Sequence, residues 1–445
     1  MRDDGDKTGC PLPTAAQTRN LWIYAACFWL TYLAAPVTYV GKNQGALCRG
    51  LGEGDVVANL PAVLYFATSF LPLVVAWYFP YVSYLRRNIV SSYACNGATM
   101  AAVAVVLAIP VAAPVKIAVV IVQCAVAGVA MPAAVAFLWE AIARGVAESR
   151  RGFTLGLTFG AGPLLAVLGS LLSQGVLPPA AVDRFSFVPD FPGNFALMYA
   201  LCAPLIGLCA LAAGRLVVPL PGRELPREPF FSGVFGGVAN YLRDRVLLVA
   251  LLVITLVYTA NLADANMGLY TREALGADPA AYAGWQNALR FGVKALAGLG
   301  LGWLLTRTTP RAGLLATSAL YLAAQLWAAG AAGPGDLAAF GRYGAGELSG
   351  GYGPNYVLCA SRAADVRRNM ALTSCFITLS APAGILFGVI SEHYTKLGQP
   401  ALGYRASFAL CACFIALGIM LALLALPARP RPAEDRARSR PPQFG

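Results

Sequence analysis

The segment Arg342–Tyr356, RYGAGELSGGYGPNY, decides how the chain is read. It lies inside an apolar stretch long enough to cross a bilayer, yet it holds an arginine, a glutamate, three tyrosines and an asparagine. A charge at membrane depth costs about 3 kcal/mol on insertion, so such residues face a partner or a watery cavity. Gly346, Gly350 and Gly353 recur at helical spacing, which predicts one thin face open to a neighbouring helix. Tyr343 and Glu347 are four apart and share another face. The stretch is expected to form a flexible helix lining a solute pathway. The plainer alternative is a packing helix whose charges are met by its neighbours.

Working outward, the 445 residues are 58% hydrophobic and 12% charged, with a mean hydropathy of +0.63. A soluble chain of this size carries about twice that charged fraction. This composition is that of a polytopic membrane protein. Apolar stretches of spanning length fall near 21–42, 55–79, 89–110, 115–142, 153–174, 195–218, 246–270, 283–305, 312–332, 337–361, 370–391 and 405–427. No alternation of the barrel kind is sustained. The fold class expected is therefore an all-α membrane protein of twelve transmembrane helices. The first twenty residues are polar and lack the apolar core of a signal peptide.

The net charge of +12 is distributed as the positive-inside rule asks, so it is not read as nucleic-acid binding. With the N-terminus in the cytoplasm, 23 of the 33 basic residues fall on the inner side and 7 on the outer, with Arg290, Lys294 and Arg342 inside spans. Both termini are then cytoplasmic and the chain sits in the cell (inner) membrane, with the lipid bilayer as its constant partner. The expected organisation is a tail 1–20, a six-helix bundle 21–218, a cytoplasmic linker 219–245, a second six-helix bundle 246–427 and a Pro/Arg-rich tail 428–445. The linker part FFSGVFGGVANYLRDR reads as an interfacial amphipathic helix. The outer connection 175–194, rich in proline and aromatics, reads as a compact surface loop. The eleven cysteines are scattered and show neither a disulfide framework nor metal-ligand spacing, so no metal or other cofactor is expected.

The two halves echo one another at an offset near 220. Glu148-Ser149-Arg150-Arg151 recurs as Asp365-Val366-Arg367-Arg368, and Gly162-Pro163 as Ala381-Pro382. Basic residues recur too: Arg86 and Arg87 between spans two and three, Arg307 and Arg311 between spans eight and nine. A duplicated six-helix unit is a recurring plan of secondary transporters.

On these features the chain resembles the major facilitator superfamily (MFS), and the likeness covers nearly all of it. Gly302, Arg307 and Arg311 match the family's loop signature Gly-x-x-x-Asp-Arg-x-Gly-Arg-Arg, with Thr306 where the acid belongs and Thr309 where the second glycine belongs. AESRRGFTLGLTF is similar to the family's connection between spans four and five. The resemblance implies two pseudo-symmetric bundles with spans one, four, seven and ten lining a central cavity. It also implies alternating access by rocking of one half against the other. A gating role is implied for Glu148, Arg151, Arg307, Arg311, Asp365 and Arg368.

The residues put polarity in those same spans. Tyr32 lies in span one, Gln123 in span four, Tyr258, Asn261 and Asp264 in span seven, and Arg342, Tyr343, Glu347 and Asn355 in span ten. In span eight, Asn287, Arg290 and Lys294 form one stripe. Two cations on one buried face repel unless something negative intervenes. At about 1.5 Å per residue, Lys294 and Glu347 both lie roughly 15 Å deep, and Asp264 and Arg290 roughly 10 Å deep. The expected pairs are Asp264–Arg290 and Glu347–Lys294. Either they are structural, or the cations bind an anionic solute while Glu347 or Asp264 takes up a proton.

The function expected is thus an MFS-type secondary transporter of a small polar or anionic organic solute, working as a monomer and coupled to protons. The alternatives are an exporter of amphipathic compounds and a transporter-shaped receptor or assembly factor without turnover. No Walker loop, HExxH or nucleophile–base dyad occurs, so the chain is not expected to be an enzyme.

Overall fold

The computed structural model describes residues 12–40, 42–53, 55–176, 187–220, 229–275, 279–331, 338–362 and 365–430. Every regular element among them is helical. The chain divides into two compact units, Met1–Arg227 and Glu228–Gly445.

The first unit holds α1 (Thr14–Leu33), α2 (Ala35–Thr38), α3 (Lys42–Gly50), α4 (Asp55–Thr68), α5 (Pro72–Tyr78), α6 (Leu85–Ala108), α7 (Ala113–Gly145), α8 (Glu148–Val176) and α9 (Gly193–Ala213). Here α6 packs on α7 and α9, and α1 on α8 and α9. The start of α1 is pinned by polar side chains. Asn20 donates to the carbonyls of Gly145 (3.2 Å) and Val217 (2.7 Å) and accepts from the Val217 amide (2.9 Å). Gln17 accepts from the Ala147 amide (3.1 Å). Buried backbone groups at helix ends must find partners, and these two amides supply them.

The second unit holds α10 (Phe230–Arg243), α11 (Arg245–Leu275), α12 (Pro279–Arg307), α13 (Pro310–Gly330), α14 (Ala338–Gly346), α15 (Ser349–Ala360), α16 (Val366–Ser374), α17 (Phe376–Lys396) and α18 (Pro400–Ala425). Here α11 packs on α17 and α18, α13 on α14 and α18, and α12 on α14. Proline opens α13 and α18, where its missing amide is not needed. The Thr309 side chain caps α13 by accepting from the Ala312 amide.

Among the described residues, nine helical segments are long and apolar enough to cross a membrane. The other three expected spans are built differently. The first begins earlier than read, at Thr14, is broken at Ala34 and continues as the short α2. The second is broken at 69–71, just before Pro72, into α4 and α5. The tenth is broken at Glu347 and Leu348 into α14 and α15. Span eleven also breaks, at Cys375. The linker does form a helix, α10, joined to α11 by Asp244 alone, whose carboxylate accepts from the Val246 amide at 2.9 Å. The loop residues 177–186 and the tails 1–11 and 431–445 lie outside the described residues.

Candidate functional site

The three in-span charges of α12 and the α14–α15 joint come together within the second unit. Arg290 and Lys294 are four apart on α12 and so lie about 40° apart on one face. Glu347 sits in the joint itself. There the backbone bonds tighten to i−3 spacing, from Leu348 to Ala345, from Gly350 to Glu347 and from Gly351 to Leu348. Glu347 Oε1 accepts from Arg290 Nη2, and Oε2 accepts from Lys294 Nζ at 3.0 Å. The side chains of Glu347 and Lys294 are each 5% exposed, so water does little to screen them. Three formal charges, two positive and one negative, thus share a nearly buried space.

Aromatic and amide groups wall this cluster. The Arg290 Cζ lies 5.0 Å from the centre of the Tyr343 ring and 5.6 Å from that of Phe291, and Lys294 Nζ lies 5.8 Å from the latter. These are within cation–π range. The Tyr343 hydroxyl donates to Asn261 Oδ1 of α11 at 3.3 Å, and the Tyr321 ring of α13 meets the Tyr343 ring edge-on at 5.4 Å. Four helices therefore fix the group.

What lets α12 approach α14 so closely is Gly344. A Cβ there would run into the carbonyl of Arg290 itself. A Cβ on Gly346 would strike the Tyr321 ring of α13, and one on Gly353 would meet Ile254 of α11 at 2.8 Å. Among the described residues nothing lies near Gly350. The expectation of one thin face through Gly346, Gly350 and Gly353 is therefore corrected. The glycines admit three different neighbours, because positions two apart on a helix point about 200° apart. Gly344, Phe291 and Tyr321 were not singled out from the sequence; the GAG spacing at 344–346 was the available signal.

The expected Glu347–Lys294 pair is present at 3.0 Å, and Arg290, expected on Asp264, is also held by Glu347. One carboxylate takes both cations, since its two oxygens span the single turn that separates Arg290 from Lys294. The side chains of Asp264 and Asn287 lie outside the described residues. Arg342 does not join the cluster. It is five positions from Glu347, about 140° around the helix, and its guanidinium stacks 3.9 Å over the Trp327 ring of α13. Asn355 is buried in α15, and Tyr258 packs its ring 4.5 Å from that of Phe376 on α17.

The first unit places its candidates otherwise. Tyr32 stacks on Tyr39 and lies against Gly162 of α8. Gln123 donates to Asn96 Oδ1 of α6 at 3.4 Å and backs an apolar groove of about 450 Å³ between α6 and α7. Tyr24, Phe28, Trp139 and Phe159 form an aromatic cluster from α1, α7 and α8. Glu140 pairs with Arg144 one turn on, at 2.8 Å.

The residues expected to gate make contacts at helix ends. Glu148 opens α8, where an acid complements the helix dipole. Arg151 donates to the carbonyls of Ala143 (2.9 Å) and Val146 (3.3 Å) at the end of α7. Arg307 stacks on Trp303 one turn back in its own helix. Arg311 donates to the Leu426 carbonyl after α18 at 2.7 Å, and Asp365 pairs with Arg368 at 2.7 Å. Among the described residues no three of His, Cys, Asp and Glu gather as metal ligands.

No family model matches the chain, and no curated protein matches it either. Solved structures do. The crystal structure of the MFS transporter FucP in the outward conformation superposes with a TM-score of 0.69 at 15% identity, covering 90% of this chain and 98% of that one. A substituted form of the E. coli fucose:proton symporter FucP superposes with a TM-score of 0.63 at 15% identity, covering 92% of this chain and 98% of that one. The chain has the fold of the major facilitator superfamily transporters.

Proposed function

We propose that this protein is a secondary carrier for a small organic anion, moved with a proton by alternating access across the cell membrane. The observation that carries the reading is the Glu347 carboxylate shared between Arg290 and Lys294 at a break in a membrane helix. Many secondary transporters hold solutes and ions at broken helices near mid-membrane. With Glu347 ionised, both cations are engaged. A proton on Glu347 removes the charge that holds them, and a solute carboxylate then takes its place. Proton and monoanion cross together with no net charge. In this reading Tyr343 and Asn261 keep the wall of the site in register. Tyr32, Gln123, Tyr258, Asn287, Arg342 and Asn355 stay candidate solute contacts, and Asp264 a second candidate for the proton.

Twelve spans as bundles 21–218 and 246–427, termini in the cytoplasm and a monomeric carrier complete the proposal. Glu148, Arg151, Arg307, Arg311, Asp365 and Arg368 stay in it as the residues that hold the inner helix ends through the cycle.

A neutral sugar is the second reading. It is favoured by the aromatic cluster Tyr24–Phe28–Trp139–Phe159, because flat rings offer an apolar stacking face. It is also what the name of the structural neighbour mentions. A thermal-shift screen of purified protein against small carboxylates, neutral sugars and amines separates the two, since a bound ligand raises apparent stability by mass action. The anion reading expects a carboxylate to raise the melting temperature and Lys294→Gln to abolish that rise. A shift from sugars alone, or a carboxylate shift unchanged in Lys294→Gln, overturns it.

A further inference from the structure

The helix α10 lies outside the site and has two distinct faces. One is docked. Tyr241 is 2% exposed and its hydroxyl meets Thr373 Oγ1 of α16 at 3.1 Å. Gly237, one turn earlier, lies against the side chain of Arg368, where a Cβ would meet Cδ. Burial pushes the Tyr241 hydroxyl above the usual phenol range, so it stays protonated and available for that bond. The other face is exposed. Phe231 is 74% exposed, Phe235 59% and Leu242 43%. At spacings of four and seven, these three residues form one stripe along α10. The rings of Phe231 and Phe235 stack at 5.9 Å with 12° between planes. Just beyond the stripe, Arg243 and Arg245 are both exposed on either side of Asp244.

The position of α10 names what covers the exposed face. A single residue separates it from α11, whose segment Arg245–Ala263 is long and apolar enough to span a membrane. Its docked face rests on α16 at Arg368, where the spanning segment Arg368–Lys396 begins, and at Thr373 further along. α10 is thereby held at the level where two spans start, which is the headgroup layer. On α11, the span that follows, Leu252 is likewise 46% exposed. Two exposed arginines at that level complement anionic headgroups.

We propose that α10 lies in the surface of the bilayer, with Phe231, Phe235 and Leu242 in the headgroup–acyl boundary and Arg243 and Arg245 on lipid phosphates. Through Tyr241 and Gly237 it hands that contact to α16, the first piece of the broken eleventh span. The lipid surface is then a partner of the fold at this point, not only the solvent of the spans.

The test places p-benzoylphenylalanine at position 231 or 235 of the full chain in nanodiscs, with position 240 on the exposed polar side as reference. Replacing a ring by a ring at an exposed site leaves the fold in place, which size-exclusion profiles check. Irradiation is expected to give lipid adducts by mass spectrometry at 231 and 235, several-fold above those at 240. Discs with phosphatidylglycerol are expected to give higher yield than neutral discs, and Arg243→Gln with Arg245→Gln to remove that difference. Adducts at 231 and 235 that are only protein–protein, or yields no higher than at 240, overturn the proposal. So does a lipid yield that ignores both headgroup charge and the two arginines, for the phosphate contact.

Discussion

The two units handle buried charge in opposite ways. In the first unit Glu140 finds Arg144 one turn along the same helix, and the Arg144 side chain is 16% exposed. The surrounding α1, α7 and α8 are lined with rings. In the second unit Glu347 reaches across to another helix and holds two cations at once, at a point where its own helix is broken. A pair within one helix travels with that helix. A cluster between helices changes when the helices move, or when its proton count changes. The proposed coupling therefore belongs to the second unit.

The largest effect expected from breaking this contrast comes from Glu347→Gln. It removes the charge that two buried cations bind, a loss of about 3–5 kcal/mol for a buried pair. The apparent melting temperature in detergent should fall by several degrees. Glu140→Gln should cost about 1–2 kcal/mol, because Arg144 can turn toward solvent. Equal losses in the two variants would erase the contrast.

Next is the close approach of α12 to α14. Gly344→Val puts carbon against the Arg290 carbonyl and should cost about 1–3 kcal/mol or more by overpacking. Gly350→Ala, with no described residue near, should be neutral or gain up to about 1 kcal/mol from helix propensity. Unfolding midpoints of the two variants check this. The smallest effect is expected for Tyr343→Phe. It keeps the ring under Arg290 and loses the bond to Asn261, about 0.5–1.5 kcal/mol by the same measurement.

Much of this was legible in the residues. Spanning length and basic loops led to an all-helical membrane fold, because hydropathy and periodicity are local signals. Depth along the spans also brought Lys294 and Glu347 to one level. What could not be read was rotation. Whether Glu347 met one cation or two depended on where α14 stops, and the joint at Glu347 and Leu348 follows from tightened backbone bonds that no residue pattern announces. Arg342 shows the same limit, since five residues of helix turn it away from Glu347 and onto Trp327. The breaks in spans two and eleven were likewise invisible to hydropathy, which averages over them.

The central claim is that Glu347 exchanges a proton for a solute carboxylate. It is tested most directly in proteoliposomes holding wild-type or Glu347→Gln protein, with a labelled carboxylate found by the ligand screen and an imposed proton gradient. The account predicts gradient-driven accumulation by the wild type. It predicts that Glu347→Gln loses accumulation while still exchanging labelled for unlabelled solute across equal pH. Accumulation by Glu347→Gln at the wild-type rate would contradict it.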